Sequence, residues 1–488
     1  MYNTYIINSI NHFTQYQYKA SQFTYIYIYI MIPIIIISYN NIKYVINTIN
    51  QLLNIDHSLK PSILIMDNNS DDVECCKFLD NTDLNVIRNK ENHGPWVEKY
   101  PEVYNSLPDK YIITDPDLKF NPNLPINFIE ILSKLSDKYK CQKLGLALDI
   151  SDHEKMYTTT YYAGHTIYEW EKQAWKTKID DPDYELYAVE TDTTFCLMNK
   201  QYENKYNIKI AGNFTAKHIP WYVNNPIYNV YETYKIASEA TTKLSTINNI
   251  YKQDIDMNYN IITRNKETFL IPNSIRDNLH FWKNMYANWK NDTFEIFDTY
   301  LNKDKIMIDI GGWIGTTAMY GSRKSKHVYC IEADTLSFND LSLNMNNNCI
   351  DNNYTLINKA IYNENNIDIG FGKNKFMPNS KLNDSTSQIY ENTDDINTVK
   401  TITIDAIIND YNININDISL IKVDIEGGEE YILNDLYTIY DKCNINLYVS
   451  MHYTWWKNKD LHRFTFLTEN QIQSIQQNPF ISLLFRRQ

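Results

Sequence analysis

Short apolar runs that carry an acidic residue at or next to their last position recur along this chain, and they constrain its fold more than any other feature. SILIMD (62–67), KIMIDI (305–310), HVYCIE (327–332) and LIKVDI (420–425) each have the length and β-branched content of a buried strand. Helical stretches separate such runs, which predicts largely parallel sheets covered by helices. We therefore expect an α/β protein with carboxylates at its strand ends.

The length predicts more than one domain. A chain of 488 residues is too long for one ordinary hydrophobic core. We place a first domain at 31–235, a polar linker at 236–269 and a second domain at 270–488. Residues 1–30, which precede Met31, are interpreted either as a poorly ordered extension or as sequence upstream of the true start. LINKAI (356–361) is predicted to be a strand, and the Asn- and Asp-rich stretch 363–400 that follows it is predicted to be a long loop over an active site.

Charge and cysteine content exclude several classes of protein. The net charge is −13 and no Lys/Arg cluster stands out, so nucleic acid is not expected as a partner. The seven cysteines form no CxxC pair, which indicates a reducing compartment without a disulfide framework or a zinc site. Heavy use of Ile, Asn, Lys and Tyr suggests an AT-rich genome. We expect a cytoplasmic protein, and the composition leaves open a viral chain in a host cytoplasm.

One segment raises the question of a membrane anchor. YIYIYIMIPIIIIS (25–38) has an apolar run of about 13 residues that Pro33 interrupts, whereas a spanning helix needs roughly 20. Its Ile- and Tyr-rich composition favours a buried strand over a signal anchor. No stable membrane span is therefore expected.

MIDIGGWIGTTAMY (307–320) predicts a strand, a glycine-rich turn and the start of a helix. A dinucleotide-binding fingerprint would need glycine where Ile310 stands, which argues against NAD. Asp309 precedes the turn, and Glu332 ends the next strand, where a carboxylate suits the two hydroxyls of a ribose. Three glycines of the turn allow close approach of a ligand and expose backbone N–H groups: Gly311, Gly312 and Gly315.

Four ordered motifs resemble the FkbM family of S-adenosylmethionine (AdoMet)-dependent O-methyltransferases: IDIGGWIG, IEADTLSFNDLSLN, TITIDAI and ISLIKVDIEGGEEYIL. The resemblance covers roughly 270–455 and implies a Rossmann-like class I methyltransferase fold. It also implies a cofactor site built from Asp309, Gly311, Gly312, Gly315, Glu332 at the ribose and Ala360 near the adenine. The family usually has Ala-Asn where this chain has Gly312 and Trp313, and Trp313 is expected to reshape the cofactor pocket.

The strand at 420–425 is predicted to present the catalytic side chains. Ligands of open α/β sheets lie beyond the carboxyl ends of the strands, where Asp424 and Glu426 would face the methyl group or the acceptor hydroxyl. A carboxylate there could act as a base or hold a metal that orients two hydroxyls. Glu429 and Glu430 are expected to begin a helix with their charges facing solvent. His452 is a second candidate base, with a purely structural histidine as the alternative.

The N-terminal half carries a different acidic motif. IITDPDLKF (112–120) places Asp115 and Asp117 at a strand exit, where two carboxylates can converge on a cation that clamps a diphosphate. IPIIIISYNN and ILIMDNNSDD precede this motif in order. The series resembles the GT-A nucleotide-sugar glycosyltransferases, in particular family-2-like members, over about 31–235.

The GT-A resemblance implies a donor site and an acceptor base. For the donor it implies Asp67 and Asn68 on the nucleoside, and Asp115, Asp117 and His218 as ligands of Mn²⁺ or Mg²⁺. AVETDTTFCLMN (188–199) also resembles this group and supplies Asp192 as the base, with Glu190 as its rival.

The two halves together predict a bifunctional enzyme of glycan biosynthesis. It would transfer a sugar from a nucleotide-sugar donor to a glycan or sugar acceptor, and methylate a sugar hydroxyl with AdoMet. Linkage of the two sites raises the effective concentration of one product at the other site. The alternative is an active methyltransferase with a non-catalytic, GT-A-like glycan-binding module, and a non-enzymatic protein is a third reading.

Overall fold

The computed structural model describes residues 31–189, 194–202, 207–239, 246–275, 278–374, 377, 384–390, 397–443 and 445–486. The expected extension at 1–30 and the candidate bases Glu190 and Asp192 lie outside these residues. The chain divides into an N-terminal unit, Met1–Tyr228 with Thr242–Ile250, and a C-terminal unit, Asn229–Thr241 with Tyr251–Gln488. Each unit is built on its own sheet and helices, which confirms the predicted α/β class with two α/β domains.

The N-terminal unit alternates strands and helices as predicted. Its strands are β1 (Ile34–Ser38), β2 (Ile63–Asp67), β3 (Asn85–Arg88), β4 (Lys110–Thr114), β5 (Leu118–Phe120), β6 (Lys143–Leu148), β7 (Thr160–Tyr162), β8 (His165–Thr166), β9 (Lys178–Ile179), β10 (Leu186–Ala188), β11 (Cys196–Asn199) and β12 (Ile208–His218). Its helices are α1 (Ile42–Ile55), α2 (Val73–Asn81), α3 (Pro101–Ser106), α4 (Phe128–Tyr139) and α5 (Ile167–Glu171).

In the main sheet of this unit, β2 and β3 lie on one side of β1, and β4 and the later strands lie on the other side. Its order is β3-β2-β1-β4-β11-β6-β12-β10-β9, with β5 paired to β12. β1 is parallel to both β2 and β4. All residues of β1 are buried, as expected of a central strand covered on both faces. The chain winds outward in both directions from β1 and β4, so their carboxyl ends flank a topological switch point, where α/β sheets bind ligands.

The C-terminal unit has helices before and between its strands. Its strands are β13 (Tyr259–Arg264), β14 (Glu267–Pro272), β15 (Ile306–Ile310), β16 (His327–Ile331), β17 (Tyr354–Ile357), β18 (Ala360–Ile361), β19 (Asp368–Gly372), β20 (Gln388–Tyr390), β21 (Asn397–Ile402), β22 (Ile418–Val423), β23 (Asn446–Ser450) and β24 (Ser482–Phe485). The remaining helices are α6 (Val230–Glu239), α7 (Thr246–Asn258), α8 (Leu279–Asn284), α9 (Asn291–Tyr300), α10 (Thr316–Lys324), α11 (Thr335–Asn348), α12 (Ile404–Asp410), α13 (Glu429–Lys442) and α14 (Glu469–Gln477).

The second main sheet has its switch point between β15 and β22. Its order is β17-β16-β15-β22-β23-β24, and only β24 is antiparallel to its neighbour among these pairs. Successive side chains of β15 point to opposite faces. Ile306, Ile308 and Ile310 enter one hydrophobic cluster, and Met307 enters another, so cores lie on both faces of the sheet.

Two local predictions about the C-terminal half were wrong. LINKAI (356–361) was expected as one strand, but β17 and β18 divide it between two sheets. The stretch 363–400 was expected to be a loop, yet β19, β20 and β21 form a small sheet with β18. These strands could not be predicted from the sequence, because they are short, lie in a polar, turn-rich stretch and pair only with one another.

The predicted linker at 236–269 also contains regular structure, namely parts of α6 and β14, all of α7 and all of β13. Among the described residues, no helix has both the length and the apolar content needed to cross a membrane.

Candidate functional sites

A pocket that is partly open to solvent, with about 580 Å³ of empty space, lies at the carboxyl ends of β15, β16 and β22. Five residues predicted from the sequence line it: Gly311, Glu332, Ala360, Asp424 and Glu426. The switch point of the C-terminal unit therefore brings the predicted cofactor and acceptor residues into one hollow.

The glycine-rich turn is held between two strand ends. Gly311 has φ +84°, and a Cβ there would lie 2.0 Å from the carbonyl oxygen of Asp424. The N–H groups of Gly311 and Gly312 both donate to the carbonyl of Ile331, at 2.9 and 3.1 Å. A side chain at residue 311 would force the ends of β15 and β22 apart.

Gly312 has a packing role that the sequence did not reveal. A Cβ at this residue would lie 2.1 Å from Sγ of Cys330, on the neighbouring strand β16. Cys330 is fully buried and occupies the space that the usual family alanine would take. Gly312 and Gly315 line no part of the pocket, so the turn shapes the site mainly through Gly311.

Asp309 occupies a different place from that predicted. Its side chain is fully buried, does not line the pocket, and accepts a hydrogen bond of 2.7 Å from Thr317 Oγ1. Lys422, its direct partner across β15 and β22, places Nζ 2.9 Å from Oδ1. Nζ also donates to the carbonyl of Gly311 at 2.7 Å. Asp309 orients Lys422, and Lys422 in turn holds the glycine-rich turn through its hydrogen bond to the carbonyl of Gly311.

Glu332 combines burial with access to the pocket. Its two oxygens accept the N–H groups of Trp313 and Asp334, each at 2.7 Å. Asp334 in turn caps α11, accepting from the N–H groups of residues 336 and 337. Burial raises the pKa of Glu332 to about 7, although these hydrogen bonds oppose the rise. The carboxylate is therefore oriented and has a pKa near neutrality.

The wall opposite the glycine turn is mainly apolar. Ala360 lies there, at the start of β18, with Ile361, Phe371 and Ile389. The residues of the predicted loop thus do border the pocket, as short strands rather than as a loop. Trp313 lines another part and packs edge-on against Phe281, with ring centroids 4.8 Å apart.

Asp424 lines the pocket and is surrounded by positively charged groups. Its Oδ2 accepts a charged hydrogen bond from Lys290, which precedes α9. Burial opposes ionisation, but the positive charges of Lys290, Lys422 and His452 outweigh it and hold the pKa of Asp424 below its usual value. Asp424 is therefore expected to be ionised at neutral pH.

Glu426 and His452 meet beside Asp424. His452 Nε2 lies 3.5 Å from Glu426 Oε2 and 3.7 Å from Asp424 Oδ1. Burial, with the nearby charges of Asp424 and Glu429, raises the pKa of Glu426 to about 8. Burial alone would lower the pKa of His452, but Glu429 and the other two carboxylates raise it to about 9. Glu426 has φ +55°, a strained conformation for a residue with a side chain.

The expectation that Glu429 and Glu430 face solvent was wrong, although α13 does begin at Glu429. Glu429 is fully buried and accepts hydrogen bonds from His452 Nδ1 (2.9 Å) and Trp456 Nε1 (3.2 Å). It also accepts the N–H groups of residues 425 and 427. Glu430 is buried too and accepts the N–H groups of residues 457 and 458. The segment after β23 covers both carboxylates, which local sequence could not show.

The acidic motif of the N-terminal unit lies at the carboxyl end of β4. Pairing of β5 with β12 brings Asp117 next to His218, with 3.3 Å between Oδ1 and Nε2. The sequence predicted both as metal ligands although 100 residues separate them. Asp115 exits the same strand, but the three residues do not all bring ligand atoms within 4.8 Å of one another.

Asp67 and Asn68 are engaged inside the protein. Asp67 is fully buried and accepts from the N–H and hydroxyl of Ser70, at 3.1 and 2.5 Å. Asn68 donates to the carbonyl of Gly94 and accepts from the hydroxyl of Tyr100, at 2.8 and 2.7 Å. Both side chains shape the turn after β2, and this geometry gives no support to their predicted contact with a nucleoside.

Comparison with solved structures returns distant likenesses. The chain is similar to an rRNA methylase from Streptococcus thermophilus (14% identity, 36% of this chain and 79% of that one, TM-score 0.23). It is similar to M. jannaschii TYW2 in complex with AdoMet (12%, 44% and 73%, TM-score 0.22). It is also similar to a mannosyltransferase from Pyrobaculum calidifontis in complex with GDP-Man and Mn²⁺ (10%, 46% and 68%, TM-score 0.26). No curated protein sequence matches the chain.

One family model matches the C-terminal half. It covers residues 309–473, about a third of the chain, from the strand before the glycine turn to α14. Its description is the methyltransferase FkbM domain. The predicted FkbM-type methyltransferase domain is thereby confirmed over residues 309–473.

Proposed function

We propose that the C-terminal unit is an AdoMet-dependent O-methyltransferase that acts on a sugar hydroxyl. The observation that carries this proposal is the shared pocket, which Glu332, Asp424 and Glu426 all line. Such a pocket would provide a hydrogen-bond acceptor for the ribose hydroxyls of the cofactor. It would also provide a base for the hydroxyl of a substrate bound beside the cofactor. The family match supports methyl transfer, and the hydroxyl acceptor follows from the carboxylate cluster.

The residues of the pocket fit the parts of AdoMet. Glu332 would accept the ribose hydroxyls, since its oxygens are already oriented by two N–H groups. The apolar wall with Ala360 and Phe371 suits an adenine ring. Bound AdoMet would supply an electrophilic methyl group.

Glu426 is the residue best suited to take the proton of the acceptor hydroxyl. It lines the pocket, and its pKa of about 8 lies near neutral pH, as favours a general base. Asp424, held ionised by Lys290, would orient the hydroxyl by accepting a hydrogen bond. The ring nitrogen Nε2 of His452 lies near both carboxylates, and the hydrogen bond between Nδ1 and Glu429 fixes the orientation of the ring.

Substitution Glu426→Gln is expected to reduce methyl transfer by about 10²–10⁴-fold, because the amide cannot take the proton. The probe is a panel of nucleotide sugars and free sugars incubated with AdoMet, with products detected by mass spectrometry as a gain of one methyl group. Glu364→Gln, at an exposed glutamate of the same unit, is the matched control and should keep parental turnover. Equal turnover of Glu426→Gln and parent would contradict the assigned role.

For the N-terminal unit we propose metal-dependent glycosyl transfer from a nucleotide sugar. The Asp117–His218 pair favours it, since it lies near the switch point, and Nδ1 of His218 is buried without a hydrogen-bond partner among the described residues. Asp115 would complete a site for Mn²⁺ or Mg²⁺ on the diphosphate after adjustment of its side chain. Asp192 remains the proposed acceptor base.

Asp117→Asn and His218→Gln are each expected to remove Mn²⁺-dependent hydrolysis or transfer of a nucleotide sugar by the full chain, because both lose a metal ligand. Asp183→Asn, an exposed aspartate of the same unit, is the control. Released nucleotide, measured by chromatography, is the readout. A parent protein that binds a glycan but releases no nucleotide with any donor would favour the non-catalytic glycan-binding module instead.

A further inference from the structure

Three side chains of ligand type converge where Asp424 and Glu426 line the pocket. One oxygen of Asp424, one of Glu426 and a ring nitrogen of His452 all lie within 4.8 Å of one another. Within the described residues, no other three such side chains come this close. Two ligands of a cation bound at about 2.1 Å are about 3.0–3.5 Å apart. The 3.5 and 3.7 Å separations from Nε2 of His452 are close to that spacing.

An unsatisfied buried oxygen points to a missing ligand. Oδ1 of Asp424 is inaccessible to solvent and has no hydrogen-bond partner in the described part of the chain, while the side chain as a whole is 10% exposed. A buried carboxylate oxygen without a donor is unfavourable. A cation between Oδ1, Glu426 and His452 would compensate it.

The surroundings of His452 resemble those of a metal-binding histidine. Glu429 accepts the hydrogen bond of Nδ1 at 2.9 Å, so Nε2, which lies near the two carboxylates, is the ring nitrogen that a cation would bind after displacing its proton. Trp455 stacks on the imidazole with parallel rings, at a centroid distance of 5.1 Å. The ring is thus fixed in the orientation that coordination through Nε2 requires.

The local charge also fits a divalent ion. The two carboxylates of the cluster and the adjoining Glu429 bring three negative charges, and Lys290 brings one positive charge. Lys422 is paired with Asp309 and leaves this sum unchanged. Once a bound cation has displaced the protons of Glu426 and His452, the surplus of negative charge equals the charge of one divalent cation.

We propose that Asp424, Glu426 and His452 bind a divalent cation with open coordination positions toward the pocket. This inference rests on the proposed methyltransferase function, since hydroxyl oxygens of the acceptor would take those positions. One imidazole nitrogen among carboxylate oxygens favours Mn²⁺ over Mg²⁺. Each carboxylate would bind through one oxygen, and the cation would lower the pKa of a coordinated hydroxyl, so the second oxygen of Glu426 could still take its proton.

The test is a titration of Mn²⁺ into the EDTA-treated full chain, with free Mn²⁺ followed by electron paramagnetic resonance. Asp117→Asn serves as the background, because it removes the other proposed metal site. This variant is expected to bind a single Mn²⁺, and adding Glu426→Gln or His452→Gln should abolish binding. Adding Glu429→Gln should weaken it by about 10–100-fold, as for other residues that orient a ligand. Adding Glu430→Gln, a buried carboxylate outside the cluster, should leave it unchanged.

Anomalous scattering of Mn²⁺ in a crystal of the Asp117→Asn variant would locate the ion without any substitution in the cluster. Absence of Mn²⁺ binding in this background, or an ion bound elsewhere, would overturn the inference. AdoMet titrated calorimetrically into the same samples separates the two proposals. If AdoMet binds and Mn²⁺ does not, the metal site is rejected while the methyltransferase proposal stands.

Discussion

Lys422→Met is expected to destabilise the C-terminal unit by about 3–5 kcal/mol, because it leaves the charge of Asp309 buried and unpaired. Lys422 is 2% exposed and Asp309 is fully buried, so water cannot replace the lost partner. The substitution also removes the hydrogen bond from Nζ to the carbonyl of Gly311, which holds the glycine turn. Urea unfolding followed by intrinsic fluorescence measures the loss, in the transition that belongs to this unit.

The matched control is Lys400→Met. Lys400 forms an ion pair of 2.8 Å with Asp368, nearly the same length as the buried pair, but both partners are about half exposed. Exposed pairs contribute about 0–1 kcal/mol, so this variant should unfold almost as the parent does. The double variant Asp309→Asn/Lys422→Met should recover much of the lost stability, because no uncompensated charge remains. Equal effects of Lys422→Met and Lys400→Met would contradict the role given to the buried pair.

Much of the candidate site could be predicted because strand ends meet at one edge of a parallel sheet. Glu332 and Asp424 are 92 residues apart in the chain, yet each ends a strand adjacent to β15. The apolar runs indicated those strands. In an open sheet the carboxyl ends of neighbouring parallel strands lie at the same edge, so the residues that follow them come close together. Asp117 and His218 meet for a related reason, since β5 pairs with the end of β12.

The role of Asp309 needed the register of two strands. A single charge interrupts each of the buried strands, Asp309 in IMIDI (β15) and Lys422 in ISLIKV (β22), and the pairing of β15 with β22 places these opposite charges side by side. Period-two alternation along both strands was the signal that could have indicated the pair. Asp309 was instead predicted to contact the cofactor, and Lys422 was not predicted as part of the site.

Other features of the site depend on segments distant in sequence. Glu429 is buried because the chain after β23 folds over it and supplies His452 and Trp456. Lys290 reaches Asp424 from the residue before α9. Such contacts are set by tertiary packing, and neither the periodicity nor the spacing of the motifs indicates them.

The second prediction with a large effect concerns Glu332. We expect Glu332→Gln to weaken AdoMet binding by about 10–100-fold, because a charged acceptor of the ribose hydroxyls contributes about 1.5–3 kcal/mol. The pocket should otherwise persist, since the amide oxygen can still accept one of the two N–H groups that orient the side chain. Glu364→Gln is again the control.

Glu332 should also give AdoMet binding a characteristic pH dependence. Only the ionised carboxylate accepts both ribose hydroxyls, and its pKa is raised by burial to about 7. Affinity should therefore fall as the pH drops below about 7, approaching tenfold per pH unit. The α-carboxyl and α-amino groups of AdoMet keep their charge between about pH 5.5 and 7. Glu332→Gln has no group to titrate there, so its weaker affinity should be nearly constant over this range.

Calorimetric titration of AdoMet into the full chain and into Glu332→Gln, at several pH values between about 5.5 and 7, tests the cofactor site most directly. The proposed site predicts one bound AdoMet, a weaker affinity in the variant, and a loss of affinity at low pH in the parent alone. A parent that binds no AdoMet, or a variant that binds it with parental affinity and parental pH dependence, would contradict a cofactor pocket between Glu332 and Asp424.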